Sequence, residues 1–417
     1  MARKLFYGWW IVLACTVVGF YVGGVIVYGF SAFFQPLIEE FGWTYTQISF
    51  AASLRGMEMG ILSPIVGFLV ARFGSRKLIL LGTITTGLGL LLLSFTRSLA
   101  TFYGAFLLLS FGAGGCTNVV TMSVVANWFS KNVGKALGIV SSGLGAGGLI
   151  VPLIIWLIDI YGWRTTLAIL GLGMWILGIP LSFVIRDKPE QYGFFCDGES
   201  LPDPKTPVGN QNRGSEISFK KAIRQKTFLY LMVVELIRMV IVFAVITHVI
   251  PYLSSVGTPR PTAGIVAAGI PLLSIVGRLG YGWLGDFHDK RYVMAATFCL
   301  IGIGMMAFCY MQRGWIFTIL FLLFFAPGYG GNIVLGRAIL REYFGRDSFG
   351  KLLGVLMGFA SLGGIIGPTF AGWMFDTLRS YYFTWLIFCG LNGVAIMLIL
   401  RIKPTTKVNQ YIPVQNP

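Results

Sequence analysis

The sequence predicts an all-α membrane protein with twelve transmembrane helices in two pseudo-symmetric six-helix bundles. Three observations predict this fold: a hydrophobic composition, long apolar runs that recur along the chain, and a repeat that relates its two halves. The 417 residues are 56% hydrophobic and only 12% charged, with a mean hydropathy of +0.77. A soluble globular protein carries about twice that share of charge. The composition therefore excludes a soluble chain.

Each apolar run is long enough to cross about 30 Å of hydrocarbon as a helix. The first six predicted spans are 8–34, 45–71, 78–95, 100–127, 134–158 and 165–185. The second six are 227–253, 261–285, 292–311, 315–342, 351–375 and 381–402. The first run is too long for the core of a signal peptide and lacks a small-residue cleavage site after it, so we expect it to be retained.

The predicted spans divide the chain into four regions. These are an N-terminal bundle (1–185), a cytoplasmic linker (186–226), a C-terminal bundle (227–402) and a cytoplasmic tail (403–417). The linker is rich in Pro, Gly and charge, which is typical of a flexible connection and not of a folded domain. Its last part, Phe219–Lys226, is predicted to form a short basic amphipathic helix on the membrane surface.

The net charge of +16 would suit a nucleic-acid partner, but its distribution favours a membrane instead. Lys and Arg concentrate at both ends of the chain and in the alternate connections that share their side of the membrane. The other connections hold only Arg97, Arg164, Arg260, Arg313 and Arg379. This asymmetry predicts a plasma-membrane protein with both termini in the cytoplasm and no nucleic-acid partner. The six cysteines lie mostly inside spans at irregular spacing, so we expect packing residues, not disulfides or a metal site.

Three sequence blocks occur twice in nearly constant register. Gly67–Arg76 matches Gly282–Arg291 at an offset of 215 residues. The block Trp128–Gly138 matches Tyr343–Gly354, and Gly147-Gly148 with Pro152 matches Gly363-Gly364 with Pro368, at offsets of 215 and 216. Such a repeat predicts two bundles related by an axis along the membrane normal, with a cavity between them near mid-membrane.

These blocks resemble the major facilitator superfamily. The family's loop pattern, G-x-x-x-D-[RK]-x-G-[RK]-[RK], falls on Gly67–Lys77 and more loosely on Gly282–Arg291. The first copy has Ala71 where the family has an acid, whereas the second copy keeps its acid. The resemblance implies a gating loop formed by Gly67, Arg72, Arg76, Gly282, Asp286 and Arg291.

Within that superfamily the chain is similar to the monocarboxylate transporter group, which includes the oxalate/formate exchangers. Two features carry this similarity: Tyr7-Gly8-Trp9-Trp10 at the start of the first span, and Trp128–Gly143 at the start of the fifth. The resemblance implies that Arg278, in the eighth helix, binds the substrate carboxylate. Resemblance and depth together place Tyr28, Leu144 and Tyr329 on the cavity wall. Ser274 and Tyr28 stand where animal members of the group often carry an acid and a lysine. This difference argues against the lysine-based proton relay of the animal members in this chain.

The charge of Arg278, independently of any family, also indicates an anion-binding role. A guanidinium keeps its proton in a protein, so burial costs several kcal/mol unless an anion meets it. No carboxylate lies four residues before or after it, and its repeat counterpart is Ser63. A charge that breaks the pseudo-symmetry suits a substrate contact. The alternative is an interhelical salt bridge with Glu235 or Glu58.

Three titratable residues within the spans are candidate proton carriers: Glu58, Glu235 and His248. Glu58 and Glu235 each have an arginine three residues away, Arg55 and Arg238, so either pair could simply neutralise charge for helix packing. Desolvation could instead make either acid a proton carrier. An imidazole can change charge near neutral pH, and we expect His248 to lie on the substrate side, although a backbone-bonded histidine is the alternative.

Asn118 and Asn332 are near-counterparts in glycine-rich stretches of the fourth and tenth helices. We expect both to contact a small anion, the alternative being that these stretches serve close helix packing. No Walker loop and no clustered metal ligands are found, so we expect neither ATP-driven transport, an enzyme nor a cofactor.

We interpret the chain as a monomeric secondary transporter of a small monocarboxylate such as lactate or pyruvate, with co-transported protons. An anion exchanger of the oxalate/formate type is the alternative, and it would need more fixed positive charge in the cavity than Arg278 alone supplies. A non-transporting membrane receptor is a further alternative, for which the sequence offers no sensory domain.

Overall fold

The computed structural model describes most of the chain, and almost all of what it describes is helical. It describes residues 6–116, 119–129, 133–189, 192, 219–344 and 346–402. Side chains are outside the description at 57–65, 67, 68, 71, 119, 133, 134, 220 and 346–351.

The first half of the chain begins with a long irregular helical stretch. Helix α1 (Gly8–Val22) continues into a π-helix (Gly23–Tyr28), a 3-10 helix (Gly29–Phe33) and α2 (Phe34–Phe41). The helices that follow are α3 (Tyr45–Phe73), α4 (Ser75–Ser94), α5 (Leu99–Cys116), α6 (Val119–Trp128), α7 (Val133–Ala146) and α8 (Ile150–Val184).

The second half has six long helices after one short one. The short helix, α9 (Phe219–Ile223), lies within the segment predicted as an amphipathic helix. The long ones are α10 (Lys226–Ser255), α11 (Arg260–Phe287), α12 (Lys290–Cys309), α13 (Trp315–Phe344), α14 (Arg346–Leu378) and α15 (Tyr382–Leu400).

The all-α membrane architecture is confirmed, and ten candidate spans are found within the described residues, against the twelve predicted. Two differences account for this. The predicted second span is the 29-residue α3, which is not among the ten. The predicted fifth and sixth spans fall in one stretch, Lys135–Val184. Its 50 residues would extend about 75 Å as a single helix, more than twice the hydrocarbon thickness, and Gly162 leaves the helical region at φ 76°.

Close glycine contacts hold neighbouring helices together inside each half. A side chain at Gly330 would meet the backbone carbonyl of Ser274, and one at Gly277 would meet that of Pro327. These two positions join α11 to α13. In a bilayer, where the hydrophobic effect does not drive helices together, small residues permit this close approach of backbones.

The two halves touch mainly at the end of the molecule where α3 begins and α14 ends, which we call the closed end. There α14 packs against both α3 and α10. The hydrogen bonds described between the halves run from this end to the level of Arg278 and no further. The cavity between the halves extends toward the opposite end, which we call the open end.

Candidate functional site

A cavity of about 280 Å³ lies between the two halves and is lined by both. Its wall combines apolar and aromatic side chains with a set of cations. The residues with a predicted role that border it are Arg278, Tyr28, Leu144 and Tyr329. Four arginines border it: Arg55, Arg238, Arg278 and Arg337.

Arg278 stands where the two halves meet. Its Nη1 donates to the backbone carbonyl of Ser141 on α7, at 3.1 Å. Its Nε is buried and has no hydrogen-bond partner in the part of the chain that the structure describes. No described carboxylate forms an ion pair with it. An unsatisfied N–H on a charged group at a cavity wall is suited to receive an anion.

The salt bridge between Arg278 and Glu235, which the sequence left open as the alternative, is not formed in this structure. Glu235 instead pairs with Arg238 three residues later on α10, and Arg238 Nε donates to Glu235 Oε2 at 2.9 Å. Both partners are at least 95% buried. Since each side chain satisfies the other, this pair neutralises itself within one helix. The side chain of Glu58 lies outside the described residues.

Tyr28 reaches the cavity through an irregular turn of the first span. The π-helix Gly23–Tyr28 widens the helix, and Gly24 has the backbone carbonyl of Gly147 where a side chain would be. Single π-turns within helices are frequent at functional sites. Tyr28 of the first half and Tyr329 of the second half both border the cavity.

Arg55 is held against both halves. Its Nη1 donates to the carbonyl of Ile26 at 3.0 Å, and its guanidinium lies 5.4 Å from the ring centre of Phe243. These contacts place a fixed cation beside the irregular first span, where sequence spacing alone suggested only a local partner for Glu58.

His248 lies at the closed end and is not among the residues that border the cavity. It is fully buried, and its contacts lie on α2, on α3, on α14 and at the residue before α15. Its Nε2 lies 3.0 Å from both the Pro368 carbonyl and the Ser49 hydroxyl, and its Nδ1 lies 2.9 Å from the Tyr381 hydroxyl. A carbonyl only accepts, so Nε2 carries the proton and Nδ1 accepts from Tyr381. The neutral imidazole is thereby fully satisfied.

Only one of the two predicted asparagines, Asn332, belongs to the described residues. Asn332 is fully buried, does not border the cavity, and has no described partner for either polar atom of its side chain. Asn118 lies outside the described residues. The predicted contact of these asparagines with an anion therefore stays a prediction.

The predicted gating loops lie at the open end. Arg72 and Asp286 are exposed, and Gly282 faces Val334 of α13. Gly67 belongs to a part of α3 described by its backbone only. Arg291 pairs with Asp289, with Nη2 and Oδ2 2.5 Å apart. The Arg291 side chain, through these hydrogen bonds, holds the pKa of Asp289 below its usual value.

In the first loop, Asp187 makes a contact similar to that of Asp289, and the sequence did not predict this contact. Arg76, the repeat counterpart of Arg291, donates its backbone N–H to Asp187, which follows the last helix of the first half. The family's acid is missing from this loop itself, where Ala71 stands in its place.

A second unpredicted acid joins the halves at the closed end. Asp376 on α14 accepts from the backbone N–H groups of Tyr45 and Thr46 at 3.1 and 2.8 Å, and from the Thr46 hydroxyl at 2.5 Å. An acid at the amino terminus of a helix is favoured by the helix dipole. Across the same end, Arg260 pairs with Asp159 at 3.4 Å.

Two helical halves that enclose a cationic cavity and close it at one end define a membrane transport protein. The family model of the Major Facilitator Superfamily matches residues 9–257 and again 239–413. The chain therefore belongs to the Major Facilitator Superfamily and is a multi-pass membrane transporter. The family predicted from the repeated sequence blocks is confirmed.

Named relatives match most of the chain. Monocarboxylate transporter 12-B of Danio rerio is 25% identical over 413 residues, covering 94% of this chain and 85% of the relative. Monocarboxylate transporter 13 of Bos taurus is 27% identical over 382 residues, covering 90% and 84%. The uncharacterized MFS-type transporter YcxA of Bacillus subtilis is 25% identical over 381 residues, covering 88% of each chain.

Solved structures share the fold at low sequence identity. A bacterial homolog of the human lysosomal transporter Spinster, in an inward-facing and occupied conformation, superposes with a TM-score of 0.72 at 16% identity, covering 96% of this chain and 95% of that one. The nucleoside transporter NupG superposes with a TM-score of 0.74 at 11% identity, covering 94% and 99%. At these identities the likeness concerns the fold alone.

Proposed function

We propose that this protein is a secondary transporter of a small monocarboxylate of the lactate or pyruvate class, bound at Arg278. The observation that carries the proposal is the buried, unpartnered Nε of Arg278 on the wall of the cavity. A planar guanidinium donates two parallel hydrogen bonds to a carboxylate, a geometry that suits this anion better than a point charge does. The names of the monocarboxylate transporter relatives support the same substrate class.

Substrate binding at Arg278 would favour closure of the cavity. Arg278 belongs to α11 of the second half and already contacts the Ser141 carbonyl of the first. An anion held there would neutralise the guanidinium and lower the cost of removing it from water. The cavity could then close at the open end while the closed end separates, which would carry the substrate across.

The orientation that we propose places both termini, the linker and the gating loops in the cytoplasm, in the plasma membrane. This follows from the excess of Lys and Arg on one side of the sequence-predicted spans. The open end is then cytoplasmic. We also propose that the two bundles, 1–185 and 227–402, work together as a monomer.

We propose proton symport as the coupling mode. A lone carboxylate entering a negative-inside cell works against about 2.3 kcal/mol per 100 mV, and one accompanying proton cancels this term. Glu58, Glu235 and His248 are the candidate carriers. Glu235 would have to leave Arg238 to take a proton, and His248 would take one when the closed end opens.

Anion exchange is the second candidate, and one observation favours it. Arg337 adds a cation to the cavity beyond Arg278. An exchanger of the oxalate/formate type requires such additional fixed charge, because it carries a more highly charged anion in one direction.

The test of the substrate site uses purified protein and labelled lactate. Arg278→Ala removes the partner of the anion, and Arg278→Lys keeps the charge but loses the two-pronged geometry. We expect both variants to lose nearly all binding while they still insert and elute as folded protein. Arg97→Ala, at an exposed arginine in a connection, is the matched control and should bind as wild type does. Unchanged lactate affinity in Arg278→Ala would refute the assignment.

A further inference from the structure

Arg337 is a cavity arginine to which the proposed monocarboxylate site at Arg278 gives no role. It lies on α13, borders the cavity and has an exposed side chain. No hydrogen bond or ion pair from its guanidinium is present among the residues that the structure describes. Its charged surroundings are Arg238 and Arg278, together with Glu235, which already pairs with Arg238. Arg337 therefore has cations as neighbours, and no acid among the described residues is paired with it.

The charge count of the cavity leaves two cations uncompensated. Four arginines border it, whereas the sequence has only two acids at mid-span depth, Glu58 and Glu235. Glu235 already forms an ion pair with Arg238. If Glu58 compensates Arg55, its neighbour on α3, no acid at this depth is left for Arg278 or Arg337. The excess therefore amounts to at least two positive charges.

The excess lies on one wall only. The repeat counterpart of Arg337 at the offset of 215 residues is Met122, which also borders the cavity. The counterpart of Arg278 at the same offset is Ser63. A scaffold role would recur in both halves of a repeat, whereas a contact with an asymmetric ligand need not. Two guanidiniums without a described acid partner thus lie on the adjacent helices α11 and α13, and neither has a charged counterpart in the first half.

We propose that Arg337 is a second anion-binding residue, which together with Arg278 lets the cavity bind small dicarboxylates in addition to monocarboxylates. The inference rests on the proposed carboxylate site at Arg278. One carboxylate neutralises one guanidinium and leaves the other to be buried uncompensated when the cavity closes, which is costly. A dianion with a carboxylate at each end neutralises both. The cavity would then close around it without net charge.

The test compares lactate, malonate and succinate binding to the full-length protein in lipid nanodiscs, at one ionic strength. We expect wild type to bind malonate or succinate as well as lactate. Arg337→Gln should weaken dicarboxylate binding about 10- to 100-fold, the usual effect of one charged hydrogen bond, and lactate binding less than about threefold. Arg337→Lys should retain most of the dicarboxylate affinity. Arg341→Gln, one turn later on α13 and outside the cavity lining, is the matched control and should change neither.

Several outcomes would overturn the inference. One is a wild-type protein that binds neither dicarboxylate. Another is an equal loss of lactate and dicarboxylate affinity in Arg337→Gln. That result would mean that Arg337 attracts every anion electrostatically and does not contact a second carboxylate. A loss of dicarboxylate affinity in Arg341→Gln as large as in Arg337→Gln is a third. The variant Arg278→Ala separates the two proposals: if it keeps lactate binding while Arg337→Gln loses malonate, the substrate site at Arg278 fails and the second contact stands.

Discussion

Asp187 accepts a hydrogen bond from the backbone N–H of Arg76 at 2.9 Å. In the other half, Asp289 accepts from the backbone N–H of Arg291 at the same distance, and Arg291 is the repeat counterpart of Arg76. The counterpart of Asp289 itself is Gly74, which has no side chain to offer. The first half thus restores the same contact with an acid from the end of its last helix, 111 residues further along the chain.

Removing Asp187 should loosen the first gating loop. Asp187→Ala leaves the first turn of α4 without its acceptor, and the loss of such a cap costs about 0.5–2 kcal/mol. We expect a lower melting temperature in detergent and faster proteolysis of the loop that precedes α4. Asp286→Ala, at an exposed acid of the second loop, is the control and should melt as wild type does. Equal melting of Asp187→Ala and wild type would contradict this account.

The second gating loop should show a pH dependence that Asp289 causes. Hydrogen bonds from Arg291 lower the pKa of Asp289 below the usual 3.8. For an acid with a lowered pKa, the stabilisation is present above the usual value and is lost as the pH falls through the lowered one. Asp289→Asn should therefore melt below wild type at pH 7, and the difference should shrink as the pH falls below 3.8. A difference that persists unchanged in acid would argue for a different cause.

Opening of the closed end should depend on Asp376. Its carboxylate accepts three hydrogen bonds across the interface, and hydrogen bonds to a charged group contribute about 1.5–3 kcal/mol each in proteins. Asp376→Asn should raise the fraction of molecules open at this end at least several-fold. Spin labels at the exposed positions Glu39 and Thr377 would report this as a longer electron–electron distance. The control is Thr377→Val, which leaves Asp376 in place. It should not change the distance distribution measured with spin labels at Glu39 and Arg379.

Proton coupling should appear as uptake driven by a pH gradient. We expect labelled lactate to enter proteoliposomes along an inward proton gradient and to respond little to a voltage clamped with valinomycin at fixed pH. Glu58→Gln, Glu235→Gln and His248→Ala then identify the carrier, which is the variant that loses the response to the gradient. Uptake that ignores the pH gradient but requires an internal anion would establish exchange instead. Retained coupling in all three variants would place the carrier elsewhere.

His248 distinguishes a structural role from a role in substrate binding. The structure shows it joined to Ser49, Pro368 and Tyr381 at the closed end, away from the cavity wall. We expect His248→Ala to slow transport by weakening this end while lactate affinity stays within about twofold of wild type, because no cavity contact is removed. The comparison of binding and transport in the same preparation checks this. A large loss of lactate affinity would restore the substrate-side role that the sequence suggested.

The sequence by itself determined the features that depend on local composition and on the internal repeat. A long apolar segment crosses the membrane as a helix whatever its neighbours are, because hydrocarbon offers no hydrogen-bond partner to exposed backbone groups. The repeat related the two halves, and the isolated charge of Arg278 pointed to the cavity where the structure now places it. Tyr28, Leu144 and Tyr329 also border that cavity.

Only the tertiary structure decided which charges meet. Asp376 contacts α3 across 330 residues of sequence and Asp187 contacts Arg76 across 111, so no local spacing could have paired them. Helix periodicity allowed Glu235 to face Arg238, but it could not exclude Arg278 as the partner. Arg337 falls within the predicted span 315–342, but that position alone does not show that it borders the same cavity as Arg278. Charge pairing depends on distances between helices, which the packing of the two halves sets and which the order of residues along one helix does not contain.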